Sequence, residues 1–416
     1  MLPPVLEIYV IWHPRDAEGL NVAEQFVQHF HGTPFTGLIG GAVEVFIRSE
    51  GWCSSDDAPR PIPATNTPLP NKLDQAKFTA IVPLMGTEMA AAAEGNSSPW
   101  KNYIEQLIYA QSEMPQRMRM FPCLIDQGAT DGTVLGRLLE PYQRIAASLP
   151  ETEGETDMTL RCRDLAQGIA QWISSPDHQR LTVFISHTKH ASPGDEEDTT
   201  TLVELVRAVI RNTHLKEFFD TSDLQPGTDW DEELRSKAST SALLGIRTDL
   251  YPSREWCQRE IRIAKQQGMP VIIIDAPGKG EERGSFLMDH VPRIPVRKEH
   301  GSWNKKDVYQ ALNLLVDECL KRALWIHQKE LSTTRTDLGI AWWAPHAPEP
   351  LTLVHWFESV KRAGTLPPDG SDLRVLHPDP PLGPDEILVL EQVLSLARPG
   401  AKLDVMTPRL LASRGG

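Results

Sequence analysis

Between residues 181 and 328, short apolar runs alternate with amphipathic stretches, and this alternation leaves very few folds open to the segment. The run at 181–186 (LTVFIS) suits a strand buried on both faces. Leu202, Leu205, Val206, Val209 and Ile210 then recur at helical spacing and form one apolar stripe. A second strand is expected at 217–220, a helix at 231–239 and a strand at 242–248. A further helix is expected over 253–267, stopping at Gly268, where a left-handed cap suits glycine. The β-branched run at 271–275 (VIIID) predicts a strand, 291–296 a weaker one, and 305–328 a closing helix. Strand and helix in strict alternation predict a doubly wound parallel sheet, whose sites form at the carboxyl ends of its strands.

The flanks follow a related rhythm. Within 1–176, strands are expected at 8–12, 42–47, 77–84 and 118–125, with helices at 19–30 and 100–111. This reads as a second α/β domain, a diverged copy of the central one, serving sensing or assembly. Trp100 and Glu105 stand five apart there, which rotates the carboxylate off the indole's face. Within 329–416, short strands are expected at 338–343, 373–376 and 403–406, with a helix at 385–397. Prolines crowd this part (Pro345, Pro348, Pro350, Pro367, Pro368, Pro378, Pro380, Pro381) and predict rigid extended connections. The organisation is therefore 1–176, 177–328 and 329–416, the last a small α/β module without a chemical motif.

Charge narrows the partners. Lys plus Arg number 42 and Asp plus Glu 56 in 416 residues, a formal charge of −14. That field repels a phosphate backbone, so direct nucleic-acid binding is not expected. No apolar run nears the roughly 20 residues of a membrane helix, and the first residues read as a strand rather than a secretion signal. Five dispersed cysteines without a Cys-x-x-Cys pair argue against a disulfide framework or a zinc cage and favour the reducing cytoplasm. His13, His187 and His190 form no convincing ligand cluster, so no metal site is expected.

Three short motifs lie in order on these elements. The first strand ends in Phe184-Ile185-Ser186-His187. The next loop reads Asp220-Thr221-Ser222-Asp223-Leu224-Gln225-Pro226-Gly227. The helix after the third strand opens with Ser253-Arg254-Glu255-Trp256-Cys257-Gln258-Arg259-Glu260. Together these resemble the TIR (Toll/interleukin-1 receptor) domain family: its Phe-Ile-Ser-Tyr box, its BB loop and its Ser-x-Trp-Cys-x-x-Glu motif. The resemblance implies a flavodoxin-like, TIR-like sheet in the centre, flanked by the TIR-like or Rossmann-like first domain and the small last module.

It also implies a chemistry. In the enzymatic branch of the family, the Glu of Trp-x-x-x-Glu is needed to break the nicotinamide–ribose bond of NAD+, which makes Glu260 the catalytic candidate. Nicotinamide leaves a cationic pyridinium as a neutral molecule, so no general acid is required. A single carboxylate suffices to stabilise the oxocarbenium, and the carboxylate pair of ordinary glycoside hydrolysis is unnecessary. Trp256, one turn before Glu260, would orient it.

The remaining substrate-binding candidates are Ser186, His187, Lys189, Asp220 and Trp230. Asp220 is either a site carboxylate or a turn cap, Trp230 either stacks on a ring or packs the core, and Lys189 either meets the pyrophosphate or is solvated. Asp223, Leu224, Pro226 and Gly227 belong to the assembly loop. By the resemblance, the chain needs no cofactor, takes NAD+ as substrate, self-associates through TIR–TIR contacts and acts in bacterial antiphage defence. A nucleotide second messenger or a partner defence protein is a further candidate partner. Two alternatives stay open: a non-enzymatic TIR adaptor, and a nucleotide-signal receptor.

Overall fold

The computed structural model describes residues 4–32, 35, 42–54, 57–63, 76–145, 157–174, 182–188, 193–211, 241–281, 283–332, 338–368 and 371–414. The chain divides into two compact units. One comprises Met1–Thr152, Thr156–Ile169 and Ile326–Ser332, and the other comprises Glu153–Glu155, Ala170–Trp325 and Thr333–Gly416. The central and C-terminal sheets thus share a unit.

In the first unit, β1 (Leu6–Ile11), α1 (Ala17–Phe30), β2 (Val43–Arg48), β3 (Phe78–Met85), α2 (Thr87–Ala92) and α3 (Pro99–Glu113) lead to β4 (Met118–Met120) and β5 (Cys123–Leu124). The strands pair in parallel in the order β2-β1-β3-β4, and β5 also joins β3. Every residue of β3 is buried, as a strand covered on both faces requires. The single strand expected over 118–125 is two short ones. Pro122 stands between them, and a proline has no N–H to give a ladder. Helix α4 (Asp157–Ser174), which belongs to this unit only as far as Ile169, was not anticipated from the sequence pattern.

The second unit contains β6 (Thr182–Ser186), α5 (Pro193–Arg211), β7 (Ser241–Arg247), α6 (Glu255–Gln266), β8 (Val271–Asp275), β9 (Arg293–Pro295) and most of α7 (Lys305–Ser332), whose residues from Ile326 onward belong to the first unit. The described strands pair in parallel in the order β6-β7-β8-β9. The strand expected at 217–220 and the helix at 231–239 lie outside the described residues. Helix α6 begins two residues later than expected because Tyr251–Ser253, with Pro252 inside, forms a separate 3-10 turn. It stops as expected at Gly268, whose φ is +63°.

A second parallel sheet follows, β10-β11-β12, built from β10 (Ile340–Trp343), β11 (Leu373–Leu376) and β12 (Leu403–Met406). It carries α8 (Pro350–Ala363) and α9 (Pro384–Ala397). Helix α8 corrects the reading of the prolines as markers of extended chain. Pro350 and Pro384 occupy the first helical turn, where the missing N–H costs nothing. Leu353, Trp356, Val375, Leu390 and Leu394 form this module's core.

The carboxyl ends of β10 and β11 run into His346 and His377. Burial pushes both imidazoles down to about 4 from 6.5. Their folded values lie below the free value, so the stability they contribute is present above pH 6.5 and lost as pH falls toward 4. Histidine NMR on the full, ring-labelled chain should show two resonances titrating near pH 4. Titration of every histidine near its ordinary value would contradict this placement.

Candidate functional site

The carboxyl edge of the central sheet is assembled from three elements. Ser186 ends β6 and pairs in register with Gly245 of β7. Tyr251, fully buried in the 3-10 turn after β7, brings its hydroxyl to 2.7 Å from Ser186 Oγ. Helix α6 supplies Glu260, whose Oε2 accepts a hydrogen bond from Ser186 Oγ. A carboxylate accepts only, so the Ser186 proton points to Glu260 and the Tyr251 hydroxyl donates to Ser186. The resulting chain runs Tyr251 to Ser186 to Glu260.

Gly245 makes room for it. A Cβ there would stand 2.6 Å from Ile273 Cδ1 and 3.0 Å from the Tyr251 hydroxyl. Burial and the nearby Cys257 and Glu260 hold the Tyr251 phenol well above its ordinary pKa, so it remains a donor. Burial first, then Glu260, pushes the Cys257 thiol up to about 12. Cys257 is thus no thiolate nucleophile at neutral pH. Its Sγ instead contacts the His187 carbonyl at 3.8 Å, tying α6 to the loop after β6.

The structure brings Ser186 and Glu260 together and sets His187 beside them. Glu260 is only 5% exposed, whereas Trp256, one turn earlier, is 45% exposed with the Arg259 guanidinium 5.8 Å from its ring centre. The indole and the carboxylate therefore occupy different environments. His187 Nδ1 lies 3.2 Å from the Thr188 carbonyl. Lys189, Asp220, Asp223, Leu224, Pro226, Gly227 and Trp230 lie outside the described residues. Sequence reasoning missed Tyr251 and Gly245, and gave Cys257 no role beyond its place in the motif. A lone glycine inside the apolar strand at 241–247 was the available signal, since it marks a close approach.

Elsewhere on this edge the chain fills its own anion-binding positions. Asp249 accepts from the backbone N–H groups of Gly278, Lys279 and Gly280 at 2.8, 2.7 and 3.1 Å. The first unit does the same at its switch point. There Asp16 accepts from Glu88 N and Met89 N at 2.9 and 3.0 Å and lies where a side chain on Gly86 would go. Glu105 is exposed while Trp100 is buried, as their five-residue spacing requires. Among the described residues, no group of three or more His, Cys, Asp or Glu could hold a metal ion. Nor is any helix among them long and apolar enough to cross a membrane.

Residues 183–311 match the family model for the TIR domain. The central segment is a TIR domain. No curated protein and no solved structure matches the chain. The match begins inside β6, ends inside α7 and contains every partner in the Tyr251–Ser186–Glu260 chain.

Gly245→Ala in the TIR domain should cost about 1–3 kcal/mol of unfolding free energy, because the methyl overpacks Ile273 and Tyr251. Denaturant titration reads this directly. An unchanged midpoint would show that the Tyr251 hydroxyl does not sit over Gly245.

Proposed function

We propose that the chain is an NAD+ glycohydrolase whose TIR domain cleaves the nicotinamide–ribose bond, with Glu260 as the catalytic carboxylate. The reading is carried by one observation: the Glu of the Trp-x-x-x-Glu motif, inside a matched TIR domain, stands at the carboxyl edge of the sheet on the Ser186 hydroxyl. In the proposed reaction the C1′–N bond breaks and its electron pair leaves with neutral nicotinamide. Glu260 stabilises the positive charge left on the ribose. Water then adds at C1′ and releases a proton, giving ADP-ribose. Attack by a group of the same molecule instead of water would give a cyclised product. No cofactor takes part in this scheme.

The hydroxyl chain gives Glu260 a defined orientation. One of its oxygens accepts from Ser186. Trp256, His187 and Lys189, with Asp220 and Trp230, complete substrate binding in this proposal. TIR domains commonly self-associate, and we take assembly through the loop at Asp223, Leu224, Pro226 and Gly227 to be the activating step. The flanking segments would sense the trigger, a nucleotide messenger or a partner protein, in cytoplasmic defence against phage.

One observation favours a second reading. Glu260 is 5% exposed and hydrogen-bonded within the domain, as a structural carboxylate in a non-enzymatic adaptor would be. Glu260→Gln separates the two, because glutamine keeps an acceptor for Ser186 but not the charge. Purified variant should release nicotinamide from NAD+ about 100-fold more slowly than the wild type, or slower still, with its unfolding midpoint nearly unchanged. Turnover within about twofold of the wild type would remove Glu260 from the chemistry.

A further inference from the structure

The helix that carries Glu260 is gripped at its far end by the C-terminal module of the same compact unit. The loop after β10 supplies three successive contacts. Glu349 Oε2 accepts from Lys265 Nζ at 2.9 Å, and both residues are 8% exposed. His346 Nε2 donates to the Met269 carbonyl at 3.1 Å; a carbonyl only accepts, so the neutral ring carries its proton there. Pro345 closes over Gly268, where a Cβ would meet its ring at 2.6 Å. Lys265 also donates to the Asp289 carbonyl at 2.6 Å, so its ammonium is held from two sides.

Glu349 is the residue before the first turn of α8, where a helix dipole favours a carboxylate. Its other oxygen is buried and has no hydrogen-bond partner among the described residues. The pair borders a cavity of about 150 Å³ that Lys321, His290 and Asp379 also line. Nothing in the core of α6 demands a buried lysine. Cys257, Ile261, Ile263 and Ala264 already fix its apolar face. A buried ion pair adds little net stability over apolar residues of the same shape, but in some systems it specifies one register. Lys265 follows Glu260 by five residues, about 7.5 Å along a helix axis, so a shift at one is transmitted to the other by a rigid rod.

We infer that Lys265 and Glu349 are positioning residues: through this pair the C-terminal module sets where α6 holds Glu260 against Ser186. The inference rests on the NAD+-cleaving reading for its kinetic consequence, but not for its structural one.

The test uses the full chain with Lys265→Met, Glu349→Gln, the double variant, and Lys265→Arg, which retains a cation for Glu349. Each is measured for NAD+ turnover and for amide hydrogen exchange of residues 256–266. Each single charge-removing variant should lower kcat by about 10- to 100-fold with KM changed by less than about threefold. The double variant should lose no more than either single one, because the pair acts as a unit, and Lys265→Arg should keep most of the activity. Exchange over α6 should rise in both singles, and this readout needs no turnover. If the wild type cleaves no NAD+, the enzymatic reading fails while exchange still decides the coupling. Folded variants with unchanged exchange over α6 would overturn the inference, as would multiplicative losses in the double variant or a Lys265→Arg chain as impaired as Lys265→Met.

Discussion

The Ser186 hydroxyl sits between two buried groups, the Tyr251 phenol and the Glu260 carboxylate. It donates to Glu260 and accepts from Tyr251, and each of the three side chains comes from a different element. A carboxylate so little exposed is costly unless hydrogen-bonded. The last residue of β6, the 3-10 turn after β7 and the middle of α6 must therefore meet at one point. Gly245 is the concession that lets them, because a Cβ there would run into Ile273 Cδ1 and crowd the Tyr251 hydroxyl. This meeting holds the Glu260 turn of α6 against the end of β6.

The two flavodoxin-like sheets handle their carboxyl edges differently. In the first unit, Asp16 caps the helix after β3 and fills the switch point between β1 and β3 with the chain's own carboxylate. In the TIR domain, Asp249 seals the loop after β8 in the same way, while the edge beyond β6 carries Glu260 and the Ser186 hydroxyl.

Much of this architecture was legible in the residues. The strands at Val271–Asp275, Leu373–Leu376 and Leu403–Met406 match their expected bounds, the first as an apolar run and the others as short, mostly apolar stretches with one charged residue each. The end of α6 was legible because Gly268 needs a left-handed φ. Helix α8 was not, since prolines that mark loops elsewhere also open helices, and Pro350 does so here. At the site, Glu260 and Ser186 were visible as motif residues. Tyr251 was not, because its role depends on a partner 65 residues away, and no local pattern records that pairing. The grip of the β10–α8 loop on α6 was hidden for the same reason: Lys265 and Glu349 are 84 residues apart.

The most direct measurement of the central claim is nicotinamide release from NAD+ by the wild-type chain across a wide range of protein concentration. The account predicts measurable release, with a rate per molecule that climbs as the chains assemble. NAD+ left intact at every concentration, including those at which the protein is demonstrably assembled, would contradict it.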